Sequence, residues 1–595
     1  MADESGSRGV GGVSRNGNAA VADLLEEMAD HLDARGVEYK PNVYRRAAES
    51  IRGHTVSVTR LHEEGGEDAI REIEDVGDAI AAKTAEYLET GTIDELETLR
   101  EELPVEMDAL TAVEGVGPKT VGSLYEALGV ETLDDLEAAA EAGEIRGVKG
   151  FGEKTEANIL ENIPFAREAR ARSLLGDARP VADRLVAFFE ANDAVGAVET
   201  AGSIRRWRPT IGDVDVLVGS DDGEAVLDAF ESWDGADSVI EAGTNKASVR
   251  ADGERVDVRV VAPGEFGAAL QYFTGSKAHN VALRNRAIGM GLKLNEYGIF
   301  DISDIEDPDA GQRVGKRVAG ETEAGVYDAV GLSFVPPELR EDRGEIDAAA
   351  AGELPELLDA DDIRGDLHVH TTASDGAATI GEMIEAAASF GHRYVAIADH
   401  ATGPGMVGGV GLDDAALSAH AEAVHEAGAD ASIDVFAAVE ANIGSDGSLH
   451  VDEDVLESLD LVVASPHSGL DGDGTDRLVA AIEHPQTDVL GHPTGRLLNQ
   501  RPGHDIDIER VATAAADSGT ALEINADPHR LDLRSSYVKA AIEAGATVAI
   551  NTDAHGTAAY GNVRFGVHTA RRGWATAADV LNCRDAAGVR AFVES

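Results

Sequence analysis

The last third of the chain repeats one pattern, in which a short apolar run is followed by a helical stretch. The runs begin after about Ile363 and read YVAIAD, LVVASPHS, VLGHP, ALEIN and TVAIN. Regular alternation of strand and helix signals predicts a parallel sheet with outer helices, as a barrel or a doubly wound sheet. In αβ barrels the chemistry lies at the carboxyl ends of the strands, so the residues after these runs are candidate site residues.

Histidines and carboxylates are concentrated at those positions. DLHVH and NTDAH each place two such residues at i and i+2. A single histidine of this kind is usually a core or surface residue, but nine potential ligands after strands indicate metal binding, and imidazole with carboxylate suits Mn²⁺, Zn²⁺ or Fe. The nine are His368, His370, Asp375, His400, Glu440, His467, His492, Asp553 and His555.

This ordered set resembles the PHP (polymerase and histidinol phosphatase) family over residues 363–595. The resemblance implies an α/β distorted (β/α)7 barrel with a three-metal cluster that hydrolyses phosphoesters. In related polymerases it implies a 3′–5′ exonuclease, with cleavage at abasic sites, usually with Mn²⁺. The Gly-rich loop 401–413 departs from the Ser and basic residues often found there, which affects the grip on substrate.

The stretch GDVDVLV places Asp213 and Asp215 in an otherwise apolar strand. Alternation along a strand points both carboxylates to one face, where a divalent cation offsets their repulsion. Upstream, AGSIRRWRPTIG offers Ser203 and Arg206 to a triphosphate, and Asp257 interrupts a second apolar strand. Oxygen ligands of this kind suit Mg²⁺. The alternative is that each aspartate caps a strand or pairs with an arginine such as Arg255 or Arg259.

With LQYFTGSKAHNVALRNRA and LNEYGIF, the stretch from Ala19 to Pro337 resembles family X DNA polymerases. The resemblance implies that Asp213, Asp215 and Asp257 are the metal-binding aspartates of an α+β nucleotidyltransferase palm, with Asp257 helping to deprotonate the primer 3′-hydroxyl. It assigns nucleotide binding to Gly202, Ser203, Arg206, Gly212, Tyr272, Phe273, Gly275 and Asn280, and template contact to Arg284. Ile211 stands where a phosphate-contacting serine is often found.

Three helical segments near the N-terminus each begin with a Gly-containing turn. Such turns expose backbone N–H groups to phosphate, and they resemble helix-hairpin-helix motifs that bind DNA regardless of sequence. The turn residues are Gly77, Gly115, Gly117, Gly150 and Gly152. The first hairpin, preceded by NVYRRAAESI, resembles the lyase domain of DNA polymerase beta, and Lys83 matches its Schiff-base lysine.

Composition limits the class of protein. The net charge is −61, yet 43% of residues are hydrophobic, which excludes an acidic disordered chain. The acidic, lysine-poor composition resembles that of proteins from salt-loving archaea. We therefore attribute the negative charge to a concentrated salt solvent and not to the binding partner. Cys583 is the single cysteine, which excludes an internal disulfide and fits a reducing cytosol. Without a signal segment or an apolar run of membrane-spanning length, we expect a cytoplasmic protein.

These patterns predict a multidomain chain whose N-terminal region is all-α. The expected domains are a disordered tail (1–18), a lyase-like helical domain (19–95), a helix-hairpin-helix region (96–172), the palm (173–265), a C-terminal polymerase subdomain (266–337), a linker (338–362) and the PHP domain (363–595).

The predicted function is gap-filling DNA synthesis in repair, using dNTPs and Mg²⁺, with 3′-end processing by the barrel. The partners would be gapped or primer–template DNA and abasic sites, bound by a monomer. One alternative is a PHP phosphatase for small phosphoesters with a non-catalytic polymerase-like region. Another is a DNA-binding scaffold without catalysis.

Overall fold

The computed structural model describes residues 17–37, 39–53, 58–73, 75–113, 115–170, 172–308, 310–403 and 410–594. The predicted disordered tail lies outside the described residues up to residue 16, as does the central part of the Gly-rich loop, 404–409. The chain forms two compact units. The first comprises the N-terminal region to residue 171 with 181–198 and 220–260, and the second comprises 172–180, 199–219 and everything from 261 onward.

The N-terminal region is entirely helical, as the sequence predicts. Its helices are α1 (Gly17–Ala34), α2 (Lys40–Gly53), α3 (Val58–Ile70), α4 (Asp78–Thr90), α5 (Asp94–Glu102), α6 (Met107–Thr111), α7 (Pro118–Leu128), α8 (Leu133–Glu141) and α9 (Glu153–Arg170). Two apolar cores stabilise them, one built from residues 21–99 and the other from residues 103–166. Helix α1 begins at Gly17, two residues before the expected start of the folded region.

The segment that follows mixes short strands with helices. Its elements are β1 (Ser173–Leu174), α10 (Leu175–Glu190), β2 (Ala197–Thr200), α11 (Gly202–Arg205), β3 (Thr210–Ile211), β4 (Val214–Gly219), α12 (Gly223–Glu231), β5 (Ser238–Ala242), β6 (Lys246–Ala251) and β7 (Glu254–Val261). In the first unit β5, β6 and β7 form antiparallel pairs, with Ser248 opposite Asp257. In the second unit β1 pairs with β3.

A mainly helical subdomain continues the second unit. It contains α13 (Phe266–Thr274), α14 (Lys277–Gly289), β8 (Leu292–Asn295), β9 (Gly298–Asp301), β10 (Lys316–Ala319), α15 (Glu323–Ala329) and α16 (Glu345–Ala351). The three strands are antiparallel in the order β10–β9–β8. Residues 338–362 are predicted to be a linker, but in the structure this segment is folded. It contains α16 and the buried charged residues Glu338, Arg340 and Glu345.

The C-terminal region is a seven-stranded parallel barrel, which confirms the predicted fold class. Strands β11–β17 follow in sequence order, and a bridge between Val369 and Ala554 joins the first strand to the segment just after the last. One helix follows each strand, so every strand end faces the same way. The elements are β11 (Gly365–Val369), α17 (Ile380–Phe390), β12 (Tyr394–Ile397), α18 (Asp414–Gly428), β13 (Asp434–Asn442), α19 (Glu453–Leu456), β14 (Leu461–Ser465), α20 (Thr475–Ile482), β15 (Val489–Leu490), α21 (Ile508–Ser518), β16 (Ala521–Asn525), α22 (Ser535–Glu543), β17 (Val548–Asn551), α23 (Val563–Arg572) and α24 (Ala586–Val593).

Apolar side chains from all seven strands form one buried cluster in this ring, with Tyr394 and Phe436 among the largest. Within the described residues, no helix combines the length and the apolar character needed to cross a bilayer.

Candidate functional sites

The nine predicted ligands of the barrel come together at the carboxyl ends of its strands. His368 and Glu440 lie within β11 and β13, and the other seven lie in the segments that follow strands. Three overlapping groups each bring ligand atoms within 4.8 Å of one another. These groups are His370, Asp375, His400 and His555; His368, His370 and Asp553; and His400, Glu440 and His467.

Glu440 is the centre of this cluster and is fully buried. Its Oε2 lies 2.6 Å from Nδ1 of His400 and 3.5 Å from Nε2 of His368. Its Oε1 lies 3.2 Å from Nε2 of His467 and accepts a 2.9 Å hydrogen bond from Nε2 of His492. His492 therefore joins the cluster through Glu440.

The other two carboxylates lie on the side of His370. Oδ1 of Asp553 is 3.0 Å from Nε2 of His370, and Oδ2 of Asp375 is 3.1 Å from Nε2 of His400. His555 lies 3.4 Å from Asp375. The i, i+2 spacing of DLHVH thus delivers both histidines to one site, with ring centroids 5.1 Å apart.

Charge balance in the cluster calls for cations. Burial alone would lower the pKa of His400, but Glu440 and Asp375 outweigh it and raise that pKa to about 10. Burial likewise opposes protonation of His555, whose pKa Asp375 and Asp553 raise to about 9. Protonated His400 and His555 therefore offset the negative charge of the nearby carboxylates. Bound divalent cations would supply the same positive charge.

The donor set fits such ions. Among the described residues, Nε2 of His368, both ring nitrogens of His370, Nδ1 of His400 and Oε2 of Glu440 are buried, and their close contacts with one another lack the geometry of a hydrogen bond. Native structures rarely leave buried polar atoms in this condition, whereas convergent imidazole and carboxylate atoms are what transition metals bind.

Supporting residues that the sequence analysis did not identify hold the ligands in place. Oε1 of Glu523 accepts a 2.8 Å hydrogen bond from Nδ1 of His368, and Oε2 accepts one from the backbone N–H of His492. Oδ1 of Asn442 lies 2.6 Å from Nδ1 of His467. Such partners fix the tautomer and orientation of ligand imidazoles. Glu523 and Asn442 are polar residues within the predicted strands ALEIN and AVEAN. This placement was the sequence signal that could have identified them.

In the second unit, the aspartates of GDVDVLV flank the start of β4. The strand begins at Val214, so Asp213 lies just before it in an exposed bend, and only Asp215 lies within it. Gly202 has φ +61°, and a Cβ on it would overlap Oδ2 of Asp215. The glycine of the GS turn is thus required because the backbone approaches this carboxylate closely.

Asp257 lies on β7 of the first unit and is neutralised by two cations. Oδ2 is 2.6 Å from Nζ of Lys246, and Oδ1 accepts a 3.0 Å hydrogen bond from Nε of Arg255. Burial would raise the pKa of Asp257, but these contacts and a hydrogen bond from Ser248 lower it. The contact with Arg255 is the one expected if the aspartate merely pairs with an arginine, yet an ionised, partly exposed carboxylate also remains suited to Mg²⁺.

The predicted nucleotide contacts in the second unit surround α11 and the α13–α14 turn. Ser203 lies on α11, and Gly212 is exposed ahead of β4. Arg206 follows α11 and is mostly buried; its Nη1 donates to the carbonyl oxygen of Thr274 over 2.6 Å.

The α13–α14 turn is braced by Asn280, whose side chain donates to the carbonyl oxygens of Tyr272 and Gly275 and accepts from Gln271. Phe273 packs against Tyr272, with ring centroids 5.2 Å apart. Arg284 lies on α14, one turn beyond Asn280.

The Gly turns of the N-terminal region open to solvent. Gly77 and Gly117 precede α4 and α7, and Gly152 precedes α9. Gly115 and Gly150 adopt positive φ angles of 83° and 98°. A Cβ on any of the five would meet no atom of the described residues within 4 Å, which leaves room for a phosphate over each turn.

Lys83 lies on α4, and its side chain is largely covered. Nζ is 3.0 Å from Oε2 of Glu95. Burial opposes protonation, but the hydrogen bond to Glu95 outweighs it and raises the pKa of Lys83. A Schiff base requires the neutral amine, so this environment disfavours nucleophilic attack.

Family models match four segments of the chain. A helix-hairpin-helix domain matches residues 16–93, a SAM-like helix-hairpin-helix tandem 107–163, the DNA polymerase beta thumb 269–341, and a PHP domain 366–527.

Curated relatives cover the same regions. The chain is 33% identical over 579 residues to the DNA polymerase/3′–5′ exonuclease PolX of Bacillus subtilis, covering 96% of this chain and 98% of that protein. It is 25% identical to DNA polymerase lambda of Rattus norvegicus over 55% of this chain and 56% of that one. A probable phosphatase of Caldanaerobacter subterraneus is 33% identical over 32% of this chain and 75% of its own. Because the first match runs through all four segments at nearly full length, the chain belongs to the family X DNA polymerases of the PolX type, which carry a C-terminal PHP domain.

Proposed function

We propose that this protein fills short gaps during DNA repair and trims 3′ ends with its barrel. The observation that carries the proposal is the nine-ligand cluster around Glu440 in a chain that matches a polymerase/exonuclease over nearly its full length. A synthesising site and a hydrolysing site on one DNA-binding chain suit end cleaning followed by filling.

At the polymerase site, the chain's own residues position the reactants. Ser203 and Arg206 bind the triphosphate, and Tyr272 and Phe273 pack on the sugar. Asp213, Asp215 and Asp257 are the proposed Mg²⁺ ligands, and Asp257 would also help to deprotonate the primer 3′-hydroxyl. The exposed Gly turns bind the DNA backbone through their N–H groups.

At the barrel site, the nine ligands hold Mn²⁺, Zn²⁺ or Fe, and we propose a three-metal cluster. Bound divalent cations supply the Lewis acidity and positive charge that phosphodiester hydrolysis needs. Glu523 and Asn442 keep His368 and His467 in the orientation that binds metal.

Single substitutions separate the two sites. Asp257→Asn should reduce the rate of extension of a labelled gapped DNA by at least about 100-fold, because it removes one charged oxygen of the polymerase site. The rate of degradation should stay unchanged. The matched control is Asp252→Asn in the same β6–β7 hairpin, whose carboxylate pairs with Arg184. His370→Ala should do the reverse, with His425→Ala on the outer helix α18 as its control.

Both reactions are measured on one 5′-labelled primer with Mg²⁺ or Mn²⁺, at low and molar salt. Loss of both activities in either site variant would contradict the two-site proposal. The phosphatase alternative predicts release of phosphate from histidinol phosphate at a rate exceeding primer degradation.

Lyase activity at Lys83 stays a prediction. Borohydride trapping on an abasic-site duplex should yield an adduct in the wild type that Lys83→Ala lacks. Since Glu95 stabilises the ammonium form, Glu95→Gln should increase the yield of that adduct if Lys83 is the nucleophile. Monomeric state is likewise proposed and is measured by light scattering.

A further inference from the structure

The loop after α11 packs against a helix of the barrel within the second unit. The indole of Trp207 stacks on the imidazole of His568 in α23, with ring centroids 3.6 Å apart and planes 7° apart. The guanidinium of Arg179 lies over the same indole, 4.7 Å from the ring centroid. Trp207 has a positive φ of 53°, a conformation that a bulky residue adopts only where its surroundings hold it.

Arg572, the last residue of α23, reaches the neighbouring residue of that loop. Its Nη1 donates to the backbone carbonyl oxygen of Arg206 and, over 3.2 Å, to Oε1 of Glu341. The same Oε1 accepts a 3.0 Å hydrogen bond from Nε of Arg206. Arg572 therefore fixes Arg206 twice, once at its backbone and once through the carboxylate that orients its side chain.

These contacts leave one part of the Arg206 guanidinium open. Nε is bound to Glu341, and Nη1 is bound to the carbonyl oxygen of Thr274. Nη2 has no hydrogen-bond partner in the part of the chain that the structure describes. A guanidinium held at two nitrogens and open at the third is preorganised to donate to a phosphate oxygen.

The cluster also carries more positive than negative charge. Arg206, Arg208 and Arg572 all contact Glu341, the one carboxylate among the four residues. Burial opposes ionisation of Glu341, but Arg572 and Arg206 outweigh it and lower its pKa. Burial lowers the pKa of Arg572 to about 10, which still leaves it protonated at neutral pH. An anionic ligand is what such a cluster lacks.

We propose that Arg572, a residue of the hydrolytic barrel, is a positioning residue for nucleotide addition, because it holds Arg206 ready for the triphosphate of the incoming nucleotide. The inference rests on the proposed polymerase function of this pocket. Its consequence is that the PHP domain contributes to nucleotide affinity at the polymerase site, separately from its own metal cluster.

The adjacent residue provides a matched control. Arg571 lies on the same helix and also contacts the segment after α15, but its Nε donates to Glu338 over 2.7 Å. Within the described part of the chain it makes no contact with Arg206. A general loosening of the junction would affect Arg571 variants as much as Arg572 variants.

The test is single-nucleotide insertion on gapped DNA with Mg²⁺, measuring KM for dNTP and kcat in the full chain. Arg572→Gln should raise KM about tenfold with kcat within about twofold, as expected for the loss of a charge-assisted hydrogen bond. Arg572→Lys should give an intermediate KM, and Arg571→Gln should leave KM within about twofold. Degradation of a 5′-labelled single strand by each preparation should stay at the wild-type rate.

Glu341→Gln distinguishes positioning from simple attraction of charge. Removing this carboxylate makes the pocket more positive, so an electrostatic effect alone would lower KM for dNTP. Positioning predicts the opposite, a rise of about fivefold to tenfold, because Arg206 loses the group that orients it.

Three results would overturn the inference: an unchanged KM in Arg572→Gln, equal effects of the Arg571 and Arg572 substitutions, or a lowered KM in Glu341→Gln. If Arg572→Gln fails to fold, the Lys and Glu341 variants decide the question. A wild type that incorporates no dNTP would instead refute the proposed polymerase function.

Discussion

Glu338 offers a quantitative test of how the second unit is held together. Its carboxylate is buried between the segment after α15 and the barrel helix α23. Oε1 accepts a hydrogen bond from Nδ1 of His568 and another from Nε of Arg571, each 2.7 Å long. Burial opposes ionisation, but the hydrogen bond from His568 and the charge of Arg571 outweigh it and lower the pKa of Glu338 to about 2.

The shift from 4.5 to about 2 sets the magnitude. Since one pKa unit corresponds to about 1.4 kcal/mol, the ionised carboxylate contributes about 3 kcal/mol to the free energy of unfolding at neutral pH. The folded-state pKa is depressed, so this contribution is fully present above the unfolded value of 4.5 and is lost as the pH falls through 2. At pH 3 about 1 kcal/mol remains.

Glu338→Gln should therefore destabilise the second unit by about 3 kcal/mol at pH 7 and by about 1 kcal/mol at pH 3. The measurement is urea unfolding of wild type and variant at several pH values, followed by Trp fluorescence. The control is Asp359→Asn, which removes the exposed partner of the same Arg571 and should cost less than about 1 kcal/mol. A Glu338→Gln effect that does not depend on pH between 3 and 7 would refute the reasoning.

Further predictions concern residues elsewhere in the chain. Burial raises the pKa of Asp488 to about 7, although the Val462 N–H donates to it. Asp488→Asn should therefore stabilise the chain by up to about 4 kcal/mol at pH 8. This gain in the free energy of unfolding should vanish below pH 4, as measured by unfolding at several pH values. A Cβ at Gly122 would overlap the carbonyl oxygen of Ala34, so Gly122→Ala should lower stability by about 1–3 kcal/mol in urea unfolding. A Cβ at Gly117 would meet no atom of the described residues within 4 Å, so Gly117→Ala should leave stability unchanged. The added methyl group would occupy the space proposed for a phosphate and should weaken binding to labelled DNA several-fold in anisotropy titrations.

Much of the barrel site follows from sequence alone. Strands of a parallel barrel end at one edge, so polar residues that follow apolar runs must meet there. This reasoning predicts that Glu440 and the other eight predicted ligands meet in one cluster, and the Gly turns at helix starts follow from similar local rules. Asp213 shows the limit of this reasoning. The apolar run predicts that Asp213 lies within the strand, but the strand begins one residue later, at Val214.

Charge partners, by contrast, were decided only by tertiary structure. The acidic, Ala-rich stretch 338–362 is predicted to be a linker, yet the side chains of Glu338, Glu341 and Glu345 are largely covered and contact cations or His279 from distant parts of the chain. Asp257 likewise has Lys246 on the neighbouring strand as its counter-ion. The sequence shows which residues are charged but not which of them form ion pairs. The contact between Arg572 and Arg206 joins residues 366 positions apart, and only the fold determines such a pair.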